Sequence, residues 1–166
     1  MSIIDLIAQI ENIPDCIVYP PCGIPVVQDG HKLPSDILEF YQQCGGVKLY
    51  EHGSFPVEIV SPQEFVIASP VIYKDMLDDE TVETIKDDIS WHWYLIGKGQ
   101  AAQFMTIDLR PERLGYCYDS DWIVHPRDST IVALSFTELL QRLFSDRGGI
   151  YYWAEPGYKS YGPAYV

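Results

Sequence analysis

The chain has 166 residues, 47% of them hydrophobic and 13% aromatic, which fits one folded domain and excludes a disordered chain. Its formal charge of -13 repels phosphate backbones, which argues against direct nucleic-acid binding and for basic partners. No apolar run approaches the ~18 residues that span a bilayer, and the acidic start MSIIDLIAQIENIPD lacks the basic region of a secretory signal; the expectation is a cytoplasmic protein with no membrane contact.

In chain order, the first predicted element is a helix over Ser2–Asn12, capped by Ser2, with Ile3, Leu6, Ile7 and Ile10 on one face. A second helix is predicted over Pro34–Cys44. Proline suits its first turn, Ile37, Tyr41 and Cys44 recur at helical spacing, and Gly45-Gly46 stops it. Strand-like runs follow at Val57–Val60, Glu64–Ala68, Trp93–Ile96, Gln103–Leu109, Gly115–Tyr118 and Thr130–Leu134. Within Gln103–Leu109 the alternation sends Gln103, Met105, Ile107 and Leu109 to one side, and Phe104, Thr106 and Asp108 to the other. The closing helix, Phe136–Arg147, has the strongest signals. Ser135 and Glu138 fit a capping box, Leu134 and Leu139 fit a hydrophobic staple, and Gly148-Gly149 ends it. Helices, then strands, then a helix predict an α+β domain, with a largely antiparallel mixed sheet of about five to six strands covered by helices.

Several stretches invite a chemical reading. Gly97-Lys98-Gly99-Gln100-Ala101-Ala102 matches G-x-G-x-x-A, the turn that cradles a dinucleotide. That role needs a helix directly after the glycines. Here the following residues alternate like a strand, so a hairpin with positive φ at Gly97 and Gly99 is the preferred reading. Asp119-Ser120-Asp121 offers a metal-binding D-x-D or a catalytic carboxylate pair, against turn-capping aspartates as the simpler account. His31, His52, His92 and His125 form no metal-ligand spacing, and His92 between two tryptophans reads as a half-buried structural histidine. Cys16, Cys22, Cys44 and Cys117 contain no C-x-x-C pair and read as ordinary thiols, Cys44 as a core one. No catalytic residue, cofactor or metal is assigned.

Two stretches suggest binding instead. Asp75–Asp88 holds seven carboxylates in fourteen positions, Asp75, Asp78, Asp79, Glu80, Glu83, Asp87 and Asp88, against the single Lys86. Neighbouring like charges repel, so such a patch either is a solvated face or serves to attract a cationic protein. Exposed aromatics near Trp91, Trp93 and Trp122 are candidate anchors. The tail contains Tyr151, Tyr152, Trp153, Tyr158, Tyr161 and Tyr165, and reads as an aromatic layer over the domain's own core or an edge strand, as a protein contact surface, or as a glycan-stacking surface.

The succession of the Pro-started helix LPSDILEFYQQCGG, the strand YLIG, the strand end IDL and the strand-to-helix join IVALSFTELL resembles the SUKH superfamily of Smi–Knr-like proteins, over roughly Ser2 to Phe144. The acidic stretch and the tail lie outside the shared pattern. The resemblance implies a single α+β domain without catalytic machinery. It also implies a bacterial immunity protein that binds and neutralises a cognate toxin, often a nuclease and so basic. The alternative is an intracellular regulatory or scaffold domain that binds a host protein.

Overall fold

The computed structural model describes residues 1–74 and 78–166. Helix α1 spans Ile3–Glu11. Ser2 accepts from the Asp5 amide and Asp5 reaches back to Ser2, a reciprocal cap at the first turn. Helix α2 spans Ser35–Gln43. It stops where Gly46 adopts φ 116°, at a point where a Cβ would press on the Ile59 carbonyl. Helix α5 spans Phe136–Ser145, between the short helices α3 (Ser69–Tyr73) and α4 (Asp79–Ile85) and the C-terminal tail. Ser135 caps α5 through the Glu138 amide, and the Glu138 carboxylate returns to the Leu134 amide instead of that of Ser135. Asp36 of α2 accepts from both the amide and the hydroxyl of Thr137, tying the starts of α2 and α5 together.

The sheet is a simple antiparallel meander of seven strands in the order β1 (Ile17–Val18), β2 (Val47–Leu49), β3 (Val57–Ile59), β4 (Trp93–Lys98), β5 (Phe104–Asp108), β6 (Cys117–Asp119) and β7 (Ile131–Ala133). It therefore exceeds the expected five to six strands, and every pairing among the described residues is antiparallel. The two- and three-residue strands β1 and β2 are too short to show a periodicity in sequence. Glu64–Ala68, predicted as a strand, makes a single bridge from Ile67 to Tyr94. Pro62 opens a tight helical turn before it and Pro70 begins α3 after it, which leaves no length for a ladder.

Helices α1, α2 and α5 cover one sheet face. Ile3, Leu6, Ile10, Ile37, Phe40, Phe136 and Leu139 meet Leu49, Ile59, Met105, Ile107 and Val132 there. Met105, Ile107 and Leu109 lie in this core as expected, while Phe104, expected on the other side, is partly buried and packs against the same cluster. Thr106 and Asp108 point to the opposite face, where they are buried among polar partners. A second cluster on that face joins Trp93, Tyr118 and Ile131 to Ala164 of the tail.

The tail folds back. Tyr152 donates to the Val132 carbonyl, and residues 161–164 run along 129–131 through the Tyr161, Ile131 and Ala164 amides. This covers the free edge of β7, where unpaired amides would otherwise invite another strand. Ala164 is 1% exposed against Trp93 and Tyr118, so its smallness lets the tail seat. Ala164→Leu is expected to destabilise the fold by about 1–3 kcal/mol through overpacking, read as a lower guanidinium midpoint in equilibrium unfolding; an unchanged midpoint would show that the tail does not pack there.

Candidate partner-binding surface

The hairpin at Gly97–Ala102 is a strand connection. The Gly99 amide donates to the Gln103 carbonyl, and β5 follows where a nucleotide-binding turn would need a helix. The expectation about φ is corrected: the positive values belong to Ala101 (51°) and Ala102 (63°), not to Gly97 and Gly99. The glycines serve close approach instead. A Cβ at Gly97 would press on the Met105 sulfur, and one at Gly99 on the Tyr151 ring. The phenol oxygen of Tyr151 accepts from the Gln100 amide and holds the turn.

Asp119 and Asp121 act as turn caps. Asp119 accepts from the Asp121 amide and from Gln103, and Asp121 accepts from the Ile123 amide. Among the described residues there is no cluster of three potential metal ligands. Burial pushes the Cys44 thiol up to about 11, so it is an inert core group.

The acidic stretch divides by role. Asp75 lies outside the described residues. Asp78 caps α4 through the Thr81 amide, and Asp79 and Glu80 occupy the first turn, where carboxylates complement the helix dipole. Glu83 pairs with Lys86 at 2.7 Å. Asp87 is exposed. Asp88 is a junction: one oxygen accepts from the Ser90 amide (2.9 Å), the Ser90 hydroxyl (2.6 Å) and the Tyr165 phenol (2.5 Å). Burial opposes its charge, but the bonds from Ser90 and Tyr165 outweigh that and hold its carboxyl below the ordinary value. Helix α4 has no buried residue, so its caps carry much of its stability and its carboxylates stay open to solvent.

The three tryptophans separate. Trp93 is 0% exposed in the second core cluster, so it is a packing residue and not a surface anchor. Trp122 is 47% exposed beside Ile123 (73%), on a loop whose Trp122 amide bonds to Ala102 at the hairpin tip. Trp91 lines an apolar groove of about 480 Å³ with Val26, Val27, Val66, Ile67, Pro70, Val71 and Tyr94. Sequence reasoning missed this groove, because its walls come from three separate parts of the chain.

Two hydrogen-bonded chains build the groove. The Gln28 amide donates to the Tyr94 phenol oxygen, the Tyr94 hydroxyl and His31 Nδ1 share a hydrogen bond (2.8 Å), and His31 Nε2 and His92 Nδ1 share the next (2.8 Å). Burial first, then His92, lowers the pKa of His31, which favours a neutral imidazole in this chain. The chain pins the loop that carries Val26 and Val27. On the other side, buried His125 bonds Ser69 through Nε2 (3.0 Å) and Ser120 through Nδ1 (3.1 Å), while its carbonyl accepts from Tyr73. Ser69 and Tyr73 are the two ends of α3. Helix α3 is thus a partition: Pro70 and Val71 face the groove, and Ser69 and Tyr73 share a smaller cavity with Thr81, Ile85 and Asp88 of the acidic stretch.

This geometry meets two findings from comparison with known proteins. The chain belongs to the SMI1 / KNR4 family (SUKH-1), whose family model matches residues 28–142. Over 99% of its length it is 40% identical to a protein of Bacillus subtilis (strain 168) named immunity protein YokJ, 96% of which is covered. No solved structure matches it. Helix α1 and the tail flank the family match but pack into the same fold, and the likeness to the Bacillus protein includes both.

Burial lowers the pKa of His125 from 6.5 to about 4, with the Asp88 charge opposing. The unfolded chain therefore binds more protons between those values, and stability is complete above 6.5 and falls as pH drops toward 4. His125→Gln lacks this titration. Wild type should lose about 2–3 kcal/mol more than the variant between pH 7 and 4, seen as converging stability curves in urea unfolding; parallel curves would refute the assignment.

Proposed function

We propose that the chain is a non-catalytic bacterial immunity protein, acting in the cytoplasm by binding and neutralising a cognate protein toxin. The observation that carries this reading is the 40% identity to an immunity protein across nearly the whole of both chains. The surface agrees in kind. A formal charge of -13, with Asp78, Asp79, Glu80, Glu83 and Asp87 gathered on an exposed helix and its flanks, attracts a basic partner. A nuclease is such a partner, because it must hold nucleic acid with Lys and Arg. Neutralisation then requires no bond-making by this chain, only that the bound domain cover or distort the toxin's active site. The domain is a SUKH-like unit in which the acidic segment near 75–88 directs partner choice and the tail serves as an internal strap. Asp78, Asp79, Glu80, Glu83, Asp87, Trp91 and Trp122 are the proposed contact residues; Asp88 supports them, and Asp75 extends the same acidic run.

Electrostatic steering raises association above the neutral range of ~10⁵–10⁶ M⁻¹s⁻¹ and fades with salt. The triple variant Asp79→Lys, Glu80→Lys, Asp87→Lys leaves the Asp78 and Asp88 caps intact. Against the toxin encoded beside this gene, it should associate at least tenfold more slowly at low ionic strength, with the difference closing near 1 M salt. Stopped-flow fluorescence measures both; equal rates at low salt would remove the acidic segment from the interface.

A further inference from the structure

We infer that the groove between the Val26–Gln28 loop and α3 is a socket for an apolar side chain of the cognate toxin, one flanked by Lys or Arg residues that meet the acidic helix α4. The inference rests on the immunity reading and adds the place and chemistry of the anchor. Val26 is 88% exposed and Val66 40%, beside Ile24 at 40%, so apolar side chains are displayed on an otherwise strongly anionic protein. They are not displayed by a loose loop. The Gln28–Tyr94–His31–His92 chain fixes one wall, and the His125 bonds to Ser69 and Tyr73 fix the other. Holding an apolar surface in water with built polar supports costs stability, which marks it as a binding site.

Charge identifies the occupant. The turn that presents Trp91 begins at the Asp88 cap, and α3 separates the groove from Thr81, Ile85 and Asp88 by the width of one helix. A ligand seated in the groove is thus one helix away from Asp88 and from Thr81 and Ile85 of α4, the helix that carries Asp79, Glu80 and Glu83, with Arg127 near Asp88 as the one opposing charge in that cavity. That setting repels an acidic segment, and it repels a second copy of this chain, which carries the same charge of -13. It favours an aliphatic or aromatic residue with cationic neighbours.

The test uses the full chain and the toxin encoded beside its gene, in titration calorimetry and surface-plasmon kinetics. Val26→Asp and Val66→Asp both alter exposed positions, and circular dichroism with thermal melting checks that each remains folded. The expected result is affinity lowered at least tenfold in each, mainly through faster dissociation, with the salt dependence of association retained. Wild-type affinity in either folded variant, while the triple lysine variant is weakened, overturns the socket and leaves the immunity reading standing. Absence of binding by wild type overturns both. Sedimentation showing a wild-type dimer that Val26→Asp dissociates makes a second copy the occupant, and also overturns the inference.

Discussion

The neutral imidazole of His125 is the interaction on which the proposed surface depends. The sheet face opposite the three large helices is only partly apolar, and it buries Thr106, Asp108, Ser120 and His125 together. Such a layer is stable only when its members satisfy one another. Thr106 meets Ser120, Ser120 meets His125, and His125 reaches Ser69. Asp108 is paired with Arg110 and accepts from Tyr118. Through Ser69 and Tyr73 this buried layer sets the position of α3, and α3 sets the spacing between the apolar groove and the acidic helix. A helix of five residues has too few turns to hold itself, so its attachment to the polar layer does what its own hydrogen bonds cannot.

The acidic segment has local roles that account for its residue types but not for its charge. Asp78 and Asp88 each satisfy backbone amides that would otherwise go unpaired, and Asp79 and Glu80 sit at the favourable end of a helix dipole. Local chemistry therefore accounts for why carboxylates occupy those positions. It does not neutralise them. Within Asp78–Asp88 only Lys86 opposes six carboxylates, and Arg127 approaches Asp88 at 3.9 Å. Caps that could have been Ser, Thr or Asn are aspartates, so the charge exceeds what capping requires.

Much of the main core was legible in sequence because its signals are local. The stripe Ile3, Leu6, Ile7, Ile10 and the Ser135–Glu138 cap each lie within a few turns of chain, and the two-residue period of β5 separated Met105 and Ile107 from Thr106 and Asp108. Legibility failed where a residue's role is set by something distant. Gly99 reads as a turn residue until Tyr151 is seen against it. Trp93 shares its composition with any surface anchor, and only the arrival of Tyr118, His125 and the tail buries it. The groove is the extreme case: Val26, Val66 and Trp91 lie far apart in sequence, and no local period links them. The tail was ambiguous for the same reason, since a tyrosine that donates to a carbonyl twenty residues upstream looks like one that reaches outward.

If the toxin meets both the acidic helix and the groove, as proposed, the two parts of the surface answer different physical demands. A toxin does harm during any interval in which it is free, so capture must be fast and release slow. Long-range attraction accelerates encounter but is screened, and exposed ion pairs contribute little once formed. Apolar burial acts only at contact, is not screened by salt, and slows dissociation. Neither term substitutes for the other. Their placement on opposite sides of α3 lets one docking geometry use both, and it assigns specificity to the pair: a basic protein without a matching side chain encounters the acidic helix and leaves, and an apolar surface without basic neighbours is not drawn in.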